Sequence, residues 1–413
     1  MKNFKVKRII PVIALALSFP AFSADFSVNQ LAYEGAFRIP ISTFGDSRIA
    51  YANGTIAVRS DDTSFFIVGH SQHQAIAEFE IPELSTAADL KSLQMAPAPL
   101  QKFVTVLDKV PSGNPDNLDR ITGIETVGSS LVVNGVEFYD ADTNAFDTTF
   151  IIDDSRNIAN SSLHGFVGLD SGYHSAGWMS QVPMNLVNEL GSEYIFGSAS
   201  NFAINARSSV GPTAFAVEMN EIFSSRSGAE IQTEALIDFS VSHPLHKDRY
   251  NESLSNDIWT EVSRAHYGFI VPGTRTYAVF GTSAGHEFGI GYKITQDTGR
   301  TCGGPCPYVA GDRYNYYWLW DVDDLIRVRE GALAPYEVRP YDYGKINLEF
   351  ETESDAGGPK MMIGADYNPS SDRLYIVLGR ADKYQSSYES APIVLVYSTG
   401  RMFPSSPTEI KVE

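Results

Sequence analysis

Two stretches of the sequence, NGTIAVRSDDTSFFIVG at residues 53–69 and IGADYNPSSDRLYIVLG at residues 363–379, align over 17 residues without a gap. In each, a short strand candidate leads into a polar turn, and an aliphatic and aromatic run follows and ends on glycine. Asp, Asn and Ser favour such turns because their side chains bond to nearby backbone. Two copies so far apart in the chain indicate a repeated supersecondary unit.

The glycine-ended strand of this unit recurs five times along the chain. The copies are FFIVG at 65–69, LVVNG at 131–135, EYIFG at 193–197, YAVFG at 277–281 and LYIVLG at 374–379. A strand candidate precedes each copy, and one or two more follow it. We therefore predict an all-β fold, a β-propeller of four-stranded antiparallel blades. Five blades are favoured, and the wide spacing leaves room for six or seven.

The two ends of the chain complete the predicted ring. The fifth unit lacks a fourth strand after Ser398, and AYEGAFRIP at residues 32–40 is a spare strand. Pairing the two removes the open edge that a linear array of blades would expose. Residues 25–413 are thus predicted to form a single propeller domain, and DVDDLIRVREGAL at 321–333 is the best helix candidate.

Residues 1–24 have the features of a cleavable secretory signal peptide. Four basic residues precede a short apolar core, and small residues place the cleavage site near Ser23 or Ala24. No later stretch approaches the roughly 18 apolar residues of a membrane helix. We expect a secreted or periplasmic monomer without membrane insertion. Cys302 and Cys306 are then expected to form a local disulfide, because exported proteins fold under oxidising conditions.

The chain is strongly acidic, with 31 Lys and Arg against 50 Asp and Glu and a net charge of −19. Without the four basic residues of the signal the net charge is about −23. Such a surface repels nucleic acid, which is excluded as a partner. No P-loop, dinucleotide fingerprint or nucleophile elbow occurs. The sequence therefore identifies no cofactor. A structural calcium ion remains an alternative at the spaced acids of residues 140–147 and 321–324, although neither segment has the pattern of an EF-hand loop.

Strand direction gathers the candidate functional residues on one face of the predicted disc. Connections into the inner strands and out of the second strands share this face, the top face, and long loops on a rigid scaffold often carry function. Six of the eight histidines lie there, at 70, 73, 174, 243, 246 and 286. The predicted catalytic residues are His70, Tyr173, His174 and Arg264. The predicted substrate-binding residues are Arg48, His73, Arg120, Trp178, Lys360 and Arg380. No metal ligands are predicted.

Each candidate also has a structural interpretation. Tyr173 and His174 suit general acid–base work, or they are a turn tyrosine and a solvated histidine. Strand alternation places Arg264 and His266 on one face and Glu261, Ser263 and Tyr267 on the other. Arg264 either neutralises a ligand carboxylate or pairs with Glu261 or Asp257. Four acids could supply a glycosidase pair, namely Asp119, Glu125, Glu261 and Asp366.

Three segments carry a resemblance. YYWLWDVDDLIRVREGALAPYEVRPYDYG at 316–344, GAFRIP at 35–40 and FIVGH at 66–70 resemble segments of a family of uncharacterised secreted bacterial propeller-like proteins. That resemblance implies a propeller and no particular activity. In architecture the chain is also similar to the propeller-fold ulvan lyases, which use His, Tyr and Arg on such a face, although their motifs do not align with this sequence.

This similarity of design favours an exported lyase that cleaves a uronate-containing acidic polysaccharide or oligosaccharide by β-elimination. The first alternative is a non-catalytic propeller that binds glycan or protein through aromatic platforms such as Tyr173, Trp178, Trp259 and the aromatic run at 314–320. That run also reads as a buried third strand, which we favour. The second alternative is a carboxylate-based glycoside hydrolase.

Overall fold

The computed structural model describes residues 25–198, 204, 207–352 and 358–400. The predicted signal peptide, residues 1–24, lies outside the described residues. Strand β1 (Ala32–Arg38) stands apart from the first blade in sequence and joins the last one in space. No helix in the described part of the chain is long and apolar enough to cross a membrane.

Five four-stranded antiparallel units follow one another along the chain. The first contains β2 (Ile56–Val58), β3 (Ser64–Val68), β4 (Ala75–Glu80) and β5 (Gln101–Thr105). The second contains β6 (Arg120–Val127), β7 (Ser130–Val136), β8 (Thr149–Ile152) and β9 (Leu163–Leu169). The third contains β10 (Met179–Gln181), β11 (Tyr194–Phe196), β12 (Ala214–Val217) and, after β13 (Glu230–Ile231), β14 (Thr233–Ile237). The short β13 extends the second blade, parallel to β9.

The remaining two blades carry the longest strands. The fourth contains β15 (Arg264–Ile270), β16 (Thr276–Ala284) and, after the hairpin β17 (Ile290–Tyr292) and β18 (Pro305–Pro307), β19 (Arg313–Asp321) and β20 (Asp342–Lys345). The fifth contains β21 (Met362–Asn368), β22 (Arg373–Asp382), β23 (Ala391–Ser398) and β1. The helices are α1 (Val187–Leu190), α2 (Met219–Ser224) and α3 (Val322–Arg329). Single 3₁₀ turns span Val28–Gln30, Leu90–Ser92, Leu107–Lys109, Ile158–Asn160 and Gly172–His174.

The predicted five-bladed propeller and its closure are confirmed. The inner strands β2, β6, β10, β15 and β21 each contact the next around a central channel, and β21 contacts β2. Ala32 on β1 pairs with Ser398 on β23, so the N-terminal strand completes the last blade. The predicted helix is confirmed as α3, which begins after the N-cap Asp321. The predicted disulfide Cys302–Cys306 is also formed, beside the hairpin of β17 and β18.

Glycines on the inner strands set the width of the channel. A Cβ atom on Gly123 would lie 1.8 Å from the carbonyl oxygen of Gly177, and one on Gly364 would lie 1.9 Å from that of Gly54. Neighbouring blades therefore touch backbone to backbone, which no residue with a side chain permits. Asn134 strengthens the first contact, since its Nδ2 donates to Gly177 O at 2.9 Å.

We expect Gly123→Ala to destabilise the protein by about 1–3 kcal/mol or more, because the added methyl group must push two blades apart. Urea unfolding followed by tryptophan fluorescence measures the change. Gly311→Ala is the matched control, because a Cβ atom at Gly311 meets no atom within 4 Å. Equal stability of the two variants would contradict the close contact of the blades.

Candidate functional site

A β-bulge on the inner strand of the fourth blade brings three polar side chains to one cavity. The pairing of β15 with β16 shifts between Ala265 and Tyr267, so His266 is an extra residue. A bulge breaks strict alternation, and Arg264, His266 and Tyr267 all line a cavity of about 250 Å³ at the top of the channel, the channel cavity. The prediction that Tyr267 faces away from Arg264 and His266 is therefore wrong.

Arg264 lies deep in this cavity without a counter-charge among the described residues. Its Nε is buried and has no hydrogen-bond partner there. Neither alternative ion pair is found among the described residues: Glu261 binds Arg249 at 3.1 Å, and Asp257 accepts a hydrogen bond from Tyr343 at 3.1 Å. Burial lowers the pKa of Arg264. A half-buried guanidinium whose Nε donor is unused is suited to bind a carboxylate or another planar anion.

The two neighbours of Arg264 in the cavity have strongly shifted pKa values. Burial, aided by the charge of Arg264, holds the pKa of His266 well below its usual range, so His266 is a neutral imidazole at neutral pH. Burial and the nearby carboxylates of Asp366 and Glu125 raise the pKa of Tyr267 well above its usual range. Tyr267 therefore keeps its proton. A neutral base and a protonated acid beside a cation are groups that general acid–base chemistry uses.

A second, larger cavity adjoins the first on the top face, and its lining is basic. This basic cavity of about 750 Å³ shares Asn53, Ser71 and Ile363 with the channel cavity. Its titratable basic lining is His70, Arg300, Arg313, Lys360 and Arg380. Burial and the neighbouring Arg300 lower the pKa of Arg313. Among the described residues that line the two cavities there is no Asp or Glu. In a chain of net charge −19, cations are concentrated here.

Six of the ten predicted site residues line these cavities. They are Arg120, Trp178 and Arg264 in the channel cavity and His70, Lys360 and Arg380 in the basic cavity. Arg120 lies at the mouth, 3.2 Å from Asp119 and over the ring of Phe138. Trp178 is buried, and its Nε1 donates to the hydroxyl of Tyr277 at 3.3 Å. Arg380 lies over the ring of Tyr51.

The predicted catalytic pair Tyr173 and His174 lies elsewhere. Tyr173 is only 2% exposed, and its hydroxyl accepts the Glu137 N–H at 2.9 Å. Burial raises the pKa of Tyr173 to about 12. The Nδ1 of His174 lies 2.5 Å from Asp238, in a separate groove that shares no lining residue with either cavity. The structure thus places both residues apart from Arg264.

Arg48 and His73 flank the basic cavity without lining it. Arg48 lies 2.7 Å from Glu389. The ring of His73 stacks on that of His70 at 4.7 Å, and its Nδ1 bonds to Ser47. Burial, then the charges of His73 and Arg48, lower the pKa of His70. Of the six histidines predicted for the top face, only His70 lines either cavity within the described residues.

The predicted carboxylates divide into structural ion pairs and one pair in the channel. Asp119 and Glu261 bind Arg120 and Arg249. Glu125 and Asp366 instead lie on the inner strands β6 and β21, outside the linings of the channel cavity and the basic cavity. Trp259, proposed above as a platform, is buried against Trp318 at 5.0 Å. The aromatic run is largely buried in β19, as its strand interpretation requires.

Two of the spaced acids have structural partners. Asp321 caps α3, and Asp140 pairs with Arg207 at 2.5 Å. Within the described ranges, no three His, Cys, Asp or Glu side chains are grouped to hold a metal ion.

No family model matches the sequence. No curated protein matches it either. Among solved structures, the chain is similar to Kuenenia stuttgartiensis hydrazine synthase, with a TM-score of 0.36, 10% identity, and coverage of 81% of this chain and 74% of that one.

Sequence reasoning missed four residues of the site, namely His266, Tyr267, Arg300 and Arg313. His266 and Tyr267 follow Arg264 closely in the sequence. Strict strand alternation predicts that Tyr267 points to the opposite face, so the sequence did not indicate that the three side chains share a cavity. Arg300 lies between β17 and β18, within the long connection from β16 to β19, and Arg313 is the first residue of β19. The sequence feature that could have identified them is the occurrence of two cations in one predicted top-face segment of an acidic chain.

We expect Arg264→Met to stabilise the unliganded protein by about 1 kcal/mol or more, because an uncompensated buried charge is replaced by an apolar chain. Arg38→Met is the contrasting variant. Arg38 binds the fully buried Asp382 at 2.8 Å, so its loss should destabilise by about 3 kcal/mol. Urea unfolding measures both. An Arg264→Met protein less stable than the parent would mean that the Arg264 charge is compensated.

His266 should make the fold acid-sensitive. Its folded pKa lies below the ordinary 6.5, so below pH 6.5 the unfolded chain binds a proton that the folded chain refuses. Stability is therefore lost as pH falls, by at most about 1.4 kcal/mol per pH unit from this group. Urea midpoints at pH 7.5 and 5.5 should differ less in His266→Gln than in the parent. The exposed His243→Gln should keep the parent's difference, and an unchanged difference in His266→Gln would contradict the shift.

Proposed function

We propose that the protein binds a carboxylate-bearing acidic polysaccharide on its top face and cleaves it by β-elimination. The supporting observation is the pair of adjoining cavities, which six Lys and Arg side chains line and no described Asp or Glu does. Such a surface raises the local concentration of polyanions. The basic cavity has room for several sugar units, and the smaller channel cavity fits the uronate that Arg264 would bind.

The three residues of the bulge fit the three tasks of an elimination. Arg264 binds the uronate carboxylate and stabilises the negative charge that develops on it. Neutral His266 accepts the C5 proton, and the electron pair of the broken C–H bond forms the C4–C5 double bond. The C4–O bond then breaks, and Tyr267 donates its proton to the leaving oxygen. The proposed acid and base are therefore Tyr267 and His266 rather than Tyr173 and His174. The similarity in design to propeller-fold ulvan lyases agrees with this chemistry.

A non-catalytic glycan-binding propeller is the second candidate. The observation in its favour is that Tyr173 and His174, the predicted acid and base, have structural partners and lie apart from Arg264. The same basic cavities would then hold the polyanion without cleaving it.

Purified protein is incubated separately with ulvan, alginate, polygalacturonate and glycosaminoglycans, and the far-ultraviolet absorbance of the unsaturated uronate product is followed. We expect product from at least one polymer. Arg264→Ala should lower kcat/KM by about 100-fold or more, as loss of a transition-state anion contact does. His266→Gln should lower kcat more than it raises KM, because the base acts in the chemical step.

Arg226→Ala is the matched control, since Arg226 is exposed and lines neither cavity. It should retain the parent's activity. Calorimetric binding to a polymer without product would select the non-catalytic candidate. Absence of both binding and product across the panel would contradict the proposal altogether.

A further inference from the structure

A third cavity lies on the opposite side of the ring. This lower cavity, of about 210 Å³, is lined by the ends of the inner strands and the turns that leave them, including Pro183, Pro272 and Pro369. Tyr267 lines both this cavity and the channel cavity, so it separates the two along the channel. Met184 stands at the mouth and is 81% exposed. The lower cavity is therefore open to solvent on the bottom face.

The polar end of the lower cavity is the carboxyl group of Glu125. Glu125 is only 8% exposed, and no described residue gives it a hydrogen bond or an ion pair. Its neighbour Asp366 has a partner, because Asp366 accepts a hydrogen bond from the Val58 N–H at 2.6 Å, and Tyr267 lies beside it. A buried carboxyl without partners is unfavourable for folding unless a ligand uses it.

Aromatic and aliphatic side chains form the rest of the wall. Phe269 stacks on Tyr367 at 4.2 Å, and Tyr267 lies 6.0 Å from Phe269. No Lys, Arg or His occurs among the described lining residues. The carboxyl group of Glu125, with Asp366 behind it, and the aromatic rings of the wall are groups that favour a bound cation. A bare Ca²⁺ would need six to eight oxygen ligands, which this largely apolar lining does not offer.

We propose that the lower cavity binds a small primary ammonium ion with a short alkyl chain, with the ammonium group on Glu125 and the chain along the aromatic wall. A primary ammonium has three donors, and Ser180 and Gln181 in the lining can accept those that Glu125 leaves unused. This site faces away from the basic cavity and does not depend on the proposed lyase activity.

Proton release should accompany binding. Burial and the charge of Asp366 raise the pKa of Glu125 well above its usual range, so the empty cavity favours the protonated carboxyl group. Burial raises the pKa of Asp366 itself to about 6. The groups that face Glu125 are Asp366, Tyr267 and Tyr194. An arriving ammonium ion favours the carboxylate and expels up to one proton.

Isothermal titration calorimetry with n-butylammonium chloride, at matched ionic strength in phosphate and in Tris at pH 7, tests the site. We expect saturable binding with a heat that differs between the buffers by the released proton. Neutral 1-butanol should bind at least about tenfold more weakly. Glu125→Gln should weaken n-butylammonium binding by about tenfold or more and abolish the buffer difference.

Glu193→Gln is the matched control. The side chain of Glu193 is exposed, and the residue lies near the same cavity, because its backbone carbonyl accepts a hydrogen bond from the N–H of Val182, which lines the cavity. It should bind as the parent does. Met184→Trp obstructs the mouth and should also weaken binding, which tests the site even if Glu125→Gln fails to fold. The proposal is overturned if the parent does not bind n-butylammonium, if 1-butanol binds as tightly, or if both site variants bind like the parent.

Discussion

The direct contact of glycine backbones between neighbouring inner strands is the constraint on which the remaining structure depends. Where Gly123 meets Gly177 and Gly364 meets Gly54, no side chain separates the blades. The inner strands therefore approach closely enough for a ring of only five blades to surround a narrow channel. A narrow channel in turn forces any polar side chain that points inward to be buried. Arg264, His266, Tyr267, Glu125 and Asp366 owe their shifted pKa values to this confinement.

The channel is chemically asymmetric along its axis. Above Tyr267 the titratable lining is basic, and below it the titratable groups are carboxyl and phenol groups. Burial of these groups costs folding free energy, since the Nε of Arg264 has no hydrogen-bond partner among the described residues and desolvation raises the pKa of Glu125. Such arrangements occur where a protein gives up stability for ligand binding. Tyr267 lines both halves and lies between the basic groups above and the carboxyl groups below.

The architecture was predictable because turn chemistry and strand periodicity are local properties. The recurring glycine-ended strand marked every blade, and the spare strand at residues 32–40 indicated the closure with β23. The gapless alignment of the two opening segments nevertheless hid a difference in strand register. Val58 pairs with Phe65 in the first hairpin, whereas its equivalent Asn368 pairs with Arg373 in the last. Strand register and bulges are therefore not visible in the local sequence pattern.

The candidate site was less predictable, for the same reason. The direction of Tyr267 depends on a bulge that the sequence RAHYG does not announce, and strict alternation sends it to the wrong side. The adjacency of Tyr173 and His174 suggested a catalytic pair, yet one hydroxyl binds a backbone amide and one imidazole binds Asp238. The scarcity of basic residues in the sequence was a better guide to the lining of the cavities. Arg264, Lys360 and Arg380 were selected as rare cations in top-face segments of an acidic chain, and all three line the cavities.

The pairing of β1 with β23 also governs when the molecule can become complete. Ala32 meets Ser398, so the last blade needs strands from both ends of the chain. Until the ribosome has released residues 391–398, β1 has no partner in its own sheet and the fifth blade has an exposed edge. Contacts of such long sequence separation form slowly. The ring therefore cannot close before synthesis of the chain is almost complete. A prematurely terminated chain would expose an unpaired strand edge, which promotes aggregation.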